Sequence, residues 1–405
     1  MKKILLTAAA LSAFSTSVYA TKARILSLGD EVEDNYFTMD DRYIFTNASY
    51  ANEYADMVML EWGDDGAGSG GASLDQDSDA KAMGGFLTKS GDFVYGAYLG
   101  NESNVSSFLR ILASNATGQY LQTSDNQVDL FIAGGQGVKW GANFLYSKSK
   151  DERDASDNAE DSAMALRLGA HTDKWEGFAN ISLKSESEDK NHTGDPKFEG
   201  KLGFQLGGSY TMGNVKYHAA FKKFDWEQTL SGTKTDGGFT RIDLGAGHTH
   251  KINATDSVFV RTQFTKLDVE LDYTAGKAEL NNTVLPVIIG YEGKATSWLV
   301  LRGSISHNII GTAESKNLSS IPLAGTGGSL QNLALASYNG STTDGETTIA
   351  NSTTVNAGAS FIFGKLTIDG FVGTTAASRA ATTQAKQGVL STDNLLTRVG
   401  MTYSF

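Results

Sequence analysis

The chain has 405 residues and carries 34 Lys plus Arg against 46 Asp plus Glu, a formal net charge of -12. That acidity disfavours nucleic acid as a partner. The absence of Cys leaves no disulfide staples and no thiol for lipidation. Glycine is abundant and proline scarce (45 Gly, 3 Pro), with 20 Phe and 15 Tyr. This balance suits a protein built of many strands, because proline cannot donate to a ladder. The slightly negative mean hydropathy agrees, since half of every barrel strand faces water.

Residues 1–20 read as a secretory signal. Lys2 and Lys3 give a positive region, Ile4 to Phe14 a short apolar core, and Val18-Tyr19-Ala20 small residues for cleavage, so the mature chain is expected to begin at Thr21. The apolar core is too short to cross a bilayer as a helix, and no other stretch approaches 18 uninterrupted apolar residues. Residues 21–54 precede the first strand and form a separate periplasmic or lumenal segment. Residues 55–405 form the barrel.

Alternating segments then follow one another. The first is Val58-Leu60-Trp62. Met83–Thr88 and Phe93–Leu99 flank a tight turn, as do Val128–Ala133 and Val138–Tyr146, Met164–Ala170 and Trp175–Leu183, Phe198–Tyr210 and Val215–Phe221, Phe239–His248 and Val258–Phe264, Val284–Tyr291 and Trp298–Ile309, and Val355–Phe363 and Leu366–Val372. Long breaks separate these pairs, among them Asp151–Asp161, Ser185–Pro196, Glu227–Gly238, Asp268–Asn282 and Gly311–Ser352. Leu395–Phe405 closes the chain on an aromatic carboxylate. About sixteen strands with alternately short and long connections predict an all-β, antiparallel up-and-down transmembrane barrel, fourteen strands being the other reading. Pro286 is a misfit within its strand and is expected to mark a bulge or a weakly paired position.

A cation facing lipid at mid-bilayer costs about 2–4 kcal/mol, so the charged parity must face the lumen. By that parity the expected pore-lining residues are Lys139, Arg167, Lys201, Lys216, Arg241, Asp243, Arg261, Arg302, Asp369 and Arg398, with Glu176, Lys184 and Lys222 beside them. On the opposite parity, Trp62, Trp140, Trp175, Tyr210, Tyr291, Trp298 and Tyr403 fit interfacial girdles. A mildly basic wall under acidic loops would tune the ion preference of an aqueous pore. The bland alternative is that these charges only hydrate the wall. Gly311–Ser352 either folds inward as a constriction or stays at the surface, and Val105, Phe108, Leu109 and Leu112 have helical spacing.

Within residues 21–54, Ala23-Arg24, Leu28-Gly29, Asp40-Asp41 and Asn47-Ala48 resemble the entry segment of FadL-type and PorV-type barrels. More broadly, the whole strand pattern resembles Gram-negative outer-membrane porins. The FadL resemblance implies a plug inside the barrel, with Tyr36, Phe37, Tyr43, Phe45 and Tyr50 lining it. The chain departs from that family in lacking the proline after Asn47 and in its strand number.

No residues are expected to be catalytic. His171, His192, His218, His248, His250 and His307 form no Ser-His-Asp pattern. His248 and His250 share a strand face, where a metal pair and ordinary turn histidines are the two readings. Asp75, Asp77 and Asp79 start like a calcium loop, but Ala80 and Phe86 replace its Gly and Glu. No cofactor and no metal is expected. The leading expectation is therefore an outer-membrane channel for passive diffusion of small hydrophilic solutes and ions. A plugged FadL-like transporter of hydrophobic molecules and a structural or surface-interaction barrel are the alternatives. Expected partners are outer-membrane lipid and lipopolysaccharide, the solutes, and the barrel-assembly machinery, through the strand ending at Phe405. A homotrimer is one assembly open to test.

Overall fold

The computed structural model describes residues 21–30, 35–63, 82–101, 127–151, 158–190, 195, 197–230, 232–273, 276–317, 344–348, 353–374 and 395–405. Its strands are β1 (Met57–Gly63), β2 (Ala82–Ser90), β3 (Phe93–Leu99), β4 (Val128–Gly134), β5 (Lys139–Asp151), β6 (Ala159–His171), β7 (Trp175–Asp189), β8 (Lys197–Met212) and β9 (Val215–Leu230). The second half adds β10 (Thr233–Lys251), β11 (Ser257–Tyr273), β12 (Gly276–Thr296), β13 (Leu299–Lys316), β14 (Gly345–Thr348), β15 (Thr353–Phe363), β16 (Leu366–Thr374) and β17 (Leu395–Ser404).

Sequential strands pair antiparallel, and β1 pairs with both β2 and β17, which closes the sheet on itself. Of the 17 described strands, β14 pairs with Thr312–Ser315 at the far end of β13. It continues the lane that β15 occupies beside Leu299–His307. The other sixteen form the barrel. Closure removes every exposed edge, which a strand in lipid requires because no water is there to satisfy its backbone. The two ends of the barrel domain meet at the short-turn end, where the Phe405 amide donates to the Asp56 carbonyl at 3.0 Å.

The outward face explains the compartment. Leu60, Phe86, Leu130, Phe144, Leu168, Leu206, Leu244, Val260, Ile289, Leu301 and Phe361 are all exposed there. A continuous apolar band of this kind is stable only against hydrocarbon. Trp140, Trp175, Tyr210, Tyr291, Trp298 and Tyr403 are exposed near the short-turn end, and Trp62 at the other. The chain is an outer-membrane β-barrel.

Two expected long loops are strands instead. β9 and β10 remain paired from Val215↔His248 up to Leu230↔Thr233, which absorbs Glu227–Gly238. β11 and β12 remain paired up to Tyr273↔Gly276, which absorbs Asp268–Asn282. The reason is an inversion of polarity. Beyond the membrane the outside of the strand meets water and carries charge, as in the Lys234–Glu227 and Lys277–Glu270 pairs. The apolar residues of the same strands turn inward. A spanning strand needs about 9–11 residues. β5 to β13 have 13 to 21, so this side of the barrel stands tall above the bilayer.

Irregularities in the ladders fall at defined places. The β12–β13 register shifts between Leu285 and Pro286, as proline's missing donor predicts. A second group lies in β7 and β8. Leu183 is an extra residue against β6, and β8 shifts against β9 between Gly200 and Gly203. One added residue reverses which face each later side chain occupies. Phe198 therefore points inward and is fully buried, where the simple alternation puts it on the lipid side. Lys201 and Lys184 are corrected in the opposite sense: both face outward. Lys201 pairs there with Asp236 and Glu227, and Lys184 with Glu186.

Residues 57–63 are preceded by a segment that packs inside the barrel. It comprises α1 (Lys22–Ser27) and two 3-10 turns, Asp41–Phe45 and Ala48–Asn52. Side chains cap both turns: Asp40 accepts from the Arg42 amide, and Asn47 from the Ser49 amide. The wall makes room with glycine. A Cβ on Gly141 would lie 2.2 Å from the Ala48 carbonyl oxygen, and one on Gly400 would lie 1.9 Å from the Thr21 side chain.

The expected helix at Val105–Leu112, most of the Gly311–Ser352 loop, and Asp75, Asp77 and Asp79 lie outside the described residues.

Candidate functional site

The inward face falls into three levels along the barrel axis. Nearest the short-turn end, the inner segment is latched to β5 and β6. Ser49 Oγ lies 2.7 Å from His171 Nδ1, and His171 Nε2 lies 3.0 Å from Glu53. Glu53 also pairs with Lys139, and Tyr50 stacks on the His171 ring with centroids 4.2 Å apart. Ser49 is fully buried, and its hydroxyl also donates to Asn47 at 2.6 Å.

The hydrogen bond from His171 is the main cause of a Glu53 carboxyl held down to about 2, with Lys139 assisting and partial burial opposing. A carboxyl depressed on folding stabilises wherever it is ionised. Its contribution is thus present above the ordinary 4.5 and is lost as pH falls towards 2. Protease cleavage of residues 21–54 in the folded barrel should accelerate across that acid window. Glu53→Gln should be susceptible already at neutral pH and should lose that part of the pH dependence.

The second level is a network of guanidinium and carboxylate groups. Arg24 grips Glu292 with two bonds of 2.8 Å. Arg302 reaches Glu292 at 3.2 Å and Asp369 at 3.0 Å, and also donates to Ser360. Arg42 binds Glu61 at 3.1 Å and Asn101 at 2.6 Å, while Tyr98 donates to Glu61 at 3.0 Å. Arg261 pairs with Asp30 and donates to Thr38 at 3.0 Å and to the Leu28 carbonyl at 3.2 Å. Tyr43 donates to Glu176 at 3.0 Å, and Lys216 pairs with Glu176 at 2.7 Å. Tyr36 and Phe37 enclose His218, with ring centroids at 4.6 and 4.8 Å. Two-pronged guanidinium–carboxylate bonds fix orientation as well as charge, so they hold the segment in one pose.

Lys139, Arg167, Lys216, Arg241, Asp243, Arg261, Arg302 and Asp369 lie on the inward face, with Glu176 and Lys222. Arg167 pairs with Asp129 at 2.7 Å, and Arg241 with Asp243 at 2.9 Å. Gln263 and Thr265 complete the shell of Asp243. The side chain of Arg398 is outside the described part of the structure. His248 and His250 are exposed near the short-turn end. Among the described residues no group of three or more His, Cys, Asp or Glu is placed to hold a metal.

The third level, farther from the short turns, is apolar, and the strand pattern did not disclose it. Phe198, Phe224, Trp226 and Phe239 pack in stacked and tilted pairs on β8–β10, with centroids 6.3 to 6.5 Å apart between neighbours. Leu267, Val269 and Leu271 on β11 and Leu280 on β12 continue this face, all of them buried. The available signal was the strict alternation Lys266-Leu267-Asp268-Val269-Glu270-Leu271-Asp272.

At the junction of the second and third levels the ladder of the wall is interrupted. β7 and β8 pair at Ser182↔Gly203 and again at Glu186↔Glu199, with no pairing at the three positions between. A cavity lies just below this gap. It touches Arg167, Asn180, Gln205, Phe224 and Phe239 from inside and Ile181 and Phe204 from the outer face.

No protein-family model and no curated protein sequence matches the chain. Among solved structures, the toluene transporter TbuX of Ralstonia pickettii aligns with 12% identity over 96% of this chain and 99% of that one, at a TM-score of 0.38. The toluene transporter TodX of Pseudomonas putida aligns with 12% identity over 96% and 100%, at 0.37. OmpT, an outer-membrane protein of Vibrio cholerae, aligns with 11% identity over 86% and 95%, at 0.35. Similarity at this level carries no argument about what passes through the barrel.

Proposed function

We propose that this chain is a plugged outer-membrane channel that admits small hydrophobic molecules, rather than an open porin. The observation that carries this reading is the order of the levels. A buried apolar face of aromatic and branched side chains stands on the long-loop side of a lumen filled by residues 21–54. An aqueous porin would present hydrated charge along its whole path. Here Arg167, Arg261 and Arg302 are spent on carboxylates. A hydrophobic solute entering from outside gains by leaving water at the Trp226 face, on the order of 25 cal/mol per Å² of apolar surface buried. The weakest point of the wall on that path is the unpaired stretch between β7 and β8.

Trp226 provides the test. Trp62, Trp140, Trp175 and Trp298 are exposed, the outward-facing positions already noted, whereas Trp226 is buried on the inward face. A variant with those four replaced by Phe reports on the lumen alone. Titration with a monoaromatic hydrocarbon should change Trp226 emission saturably, and Phe239→Ala should weaken the apparent affinity about tenfold or more. Emission that stays constant up to the solubility limit would sink the proposal.

A further inference from the structure

Removing a signal peptide after Ala20 does more than release the chain. It creates a charge at a defined point of the lumen. Thr21 is buried, 2% exposed, and sits over Gly400 on β17. Gly400 is flanked in the sheet by Asp369 on β16 and Glu61 on β1. The Thr21 hydroxyl lies 3.5 Å from Asp369, and the next amide, that of Lys22, donates to Glu61 at 2.7 Å. Two residues along β17, Thr402 donates to Asp41 at 3.3 Å. Thr21 therefore sits against two carboxylates, Asp369 and Glu61, with Asp41 two residues further along β17, at Thr402.

The charges at this place do not balance. Five carboxylates belong to the cluster: Asp40, Asp41, Glu61, Glu292 and Asp369. Four cations face them among the described residues. Arg24, Arg42 and Arg302 do so through ion pairs, and Lys22 acts electrostatically on Glu61. Arg261 and Asp30 alongside neutralise each other. Among the described side chains, which do not include that of Arg398 two residues from Gly400, one negative charge is left over. Consistent with this, Asp40 Oδ2 and Asp41 Oδ1 are buried without a hydrogen-bond partner. Burial, and then the neighbouring carboxylates in the case of Asp41, push both carboxyls well above the usual range. Asp40 Oδ2 still has Arg24 at 3.8 Å, but a buried carboxylate oxygen such as Asp41 Oδ1 is costly without a partner and points to a missing donor.

We propose that the missing donor is the α-ammonium of Thr21, so that signal-peptide cleavage itself completes the docking of the inner segment. Before cleavage the Thr21 nitrogen is a neutral amide. Hydrolysis breaks the Ala20–Thr21 C–N bond. The hydroxyl of water goes to the Ala20 carbonyl carbon, and the proton of water goes to the nitrogen. The free amine takes a further proton from solvent at neutral pH, since an α-amino group ordinarily titrates near 7.7–8.0. The resulting ammonium stands beside Asp369 and Glu61, with Asp41 next along the sheet, and brings five cations against five carboxylates. Export and closure of the channel are thereby coupled: the segment locks only in a chain that has passed the signal peptidase.

This inference rests on the plug assigned above and on cleavage at Ala20, and it has its own test. Intact mass of the purified barrel should give a mature chain beginning at Thr21; any other terminus overturns the proposal. A Gly-Ser pair is then inserted between Ala20 and Thr21, which moves the ammonium two residues away. The barrel should still fold and migrate heat-modifiably, while protease cleavage of residues 21–54 should rise about a hundredfold or more, as expected for an uncompensated buried charge. Asp41→Asn in the extended chain removes the surplus charge and should restore much of the protection. An extended chain as protected as the natural one, or an extended Asp41→Asn chain with no recovery, overturns the proposal. A barrel that opens on deletion of residues 21–54 yet is indifferent to the extension would leave the plug standing and this inference alone refuted.

Discussion

A barrel lacking Thr21–Tyr54 should conduct ions in large, stable steps, whereas the intact chain inserted in the same planar bilayer should give none. Sixteen strands enclose a lumen wide enough for an aqueous channel unless something fills it. In the proposed reading the filling is the inner segment. Its removal takes Arg24 from Glu292, Arg42 from Glu61, Tyr43 from Glu176 and Asp30 from Arg261, and exposes these wall charges to water. Closed strand pairing does not depend on the segment, because each barrel strand is bonded to its two neighbours. The variant is therefore expected to remain folded and heat-modifiable. The reversal potential in a salt gradient would then report which sign of charge dominates the exposed wall.

The second large effect is expected from Arg302→Met. The Arg302 side chain is fully buried and binds Glu292, Asp369 and Ser360 together. Methionine fills much of the volume but leaves Asp369 without its guanidinium and Glu292 with Arg24 alone. Breaking one side of a buried ion pair costs about 3–5 kcal/mol. Thr21 and Arg24 of the inner segment cover Asp369 and Glu292, so undocking the segment returns these carboxylates to water, and protease cleavage within residues 21–54 should accelerate by roughly two orders of magnitude or more. Arg302→Lys keeps the charge without the fork, and should fall between the two. An unchanged cleavage rate in Arg302→Met would mean that aromatic packing around Tyr36, Tyr43 and Tyr50, rather than the ionic network, holds the segment.

The lattice of the barrel was legible because lipid imposes a strict rule. Where the outside is hydrocarbon, apolar means outward, and Val138 to Tyr146 or Met164 to Ala170 read correctly residue by residue. Above the membrane the rule inverts: Asp268–Tyr273 alternates as a strand does but with its apolar side inward, while Glu227–Gly238 is polar apart from Leu230, with Ser-Gly at its centre, and carries no strand signal. The apolar lumen face at Trp226, Phe239 and Leu267–Leu271 was hidden by that inversion. Lys201 and Lys184 were misplaced for a different reason. Single-residue bulges leave no mark in an alternation except locally, here the glycines Gly200 and Gly203 beside Lys201-Leu202 and the adjacent pair Leu183-Lys184. Pro286 betrayed its bulge because its chemistry is incompatible with a regular ladder. The partners of the lumen cations were not legible at all. Arg24 meets Glu292, and Tyr43 meets Glu176, across separations in sequence that only the closed barrel brings together.

The most direct test is solute exchange into vesicles carrying the intact protein, comparing a monoaromatic hydrocarbon derivative with a sugar of similar size. Protein-dependent entry of the aromatic solute and exclusion of the sugar are expected. Free passage of the sugar through the intact chain would contradict the plugged channel, and would return the barrel to the class of open aqueous pores.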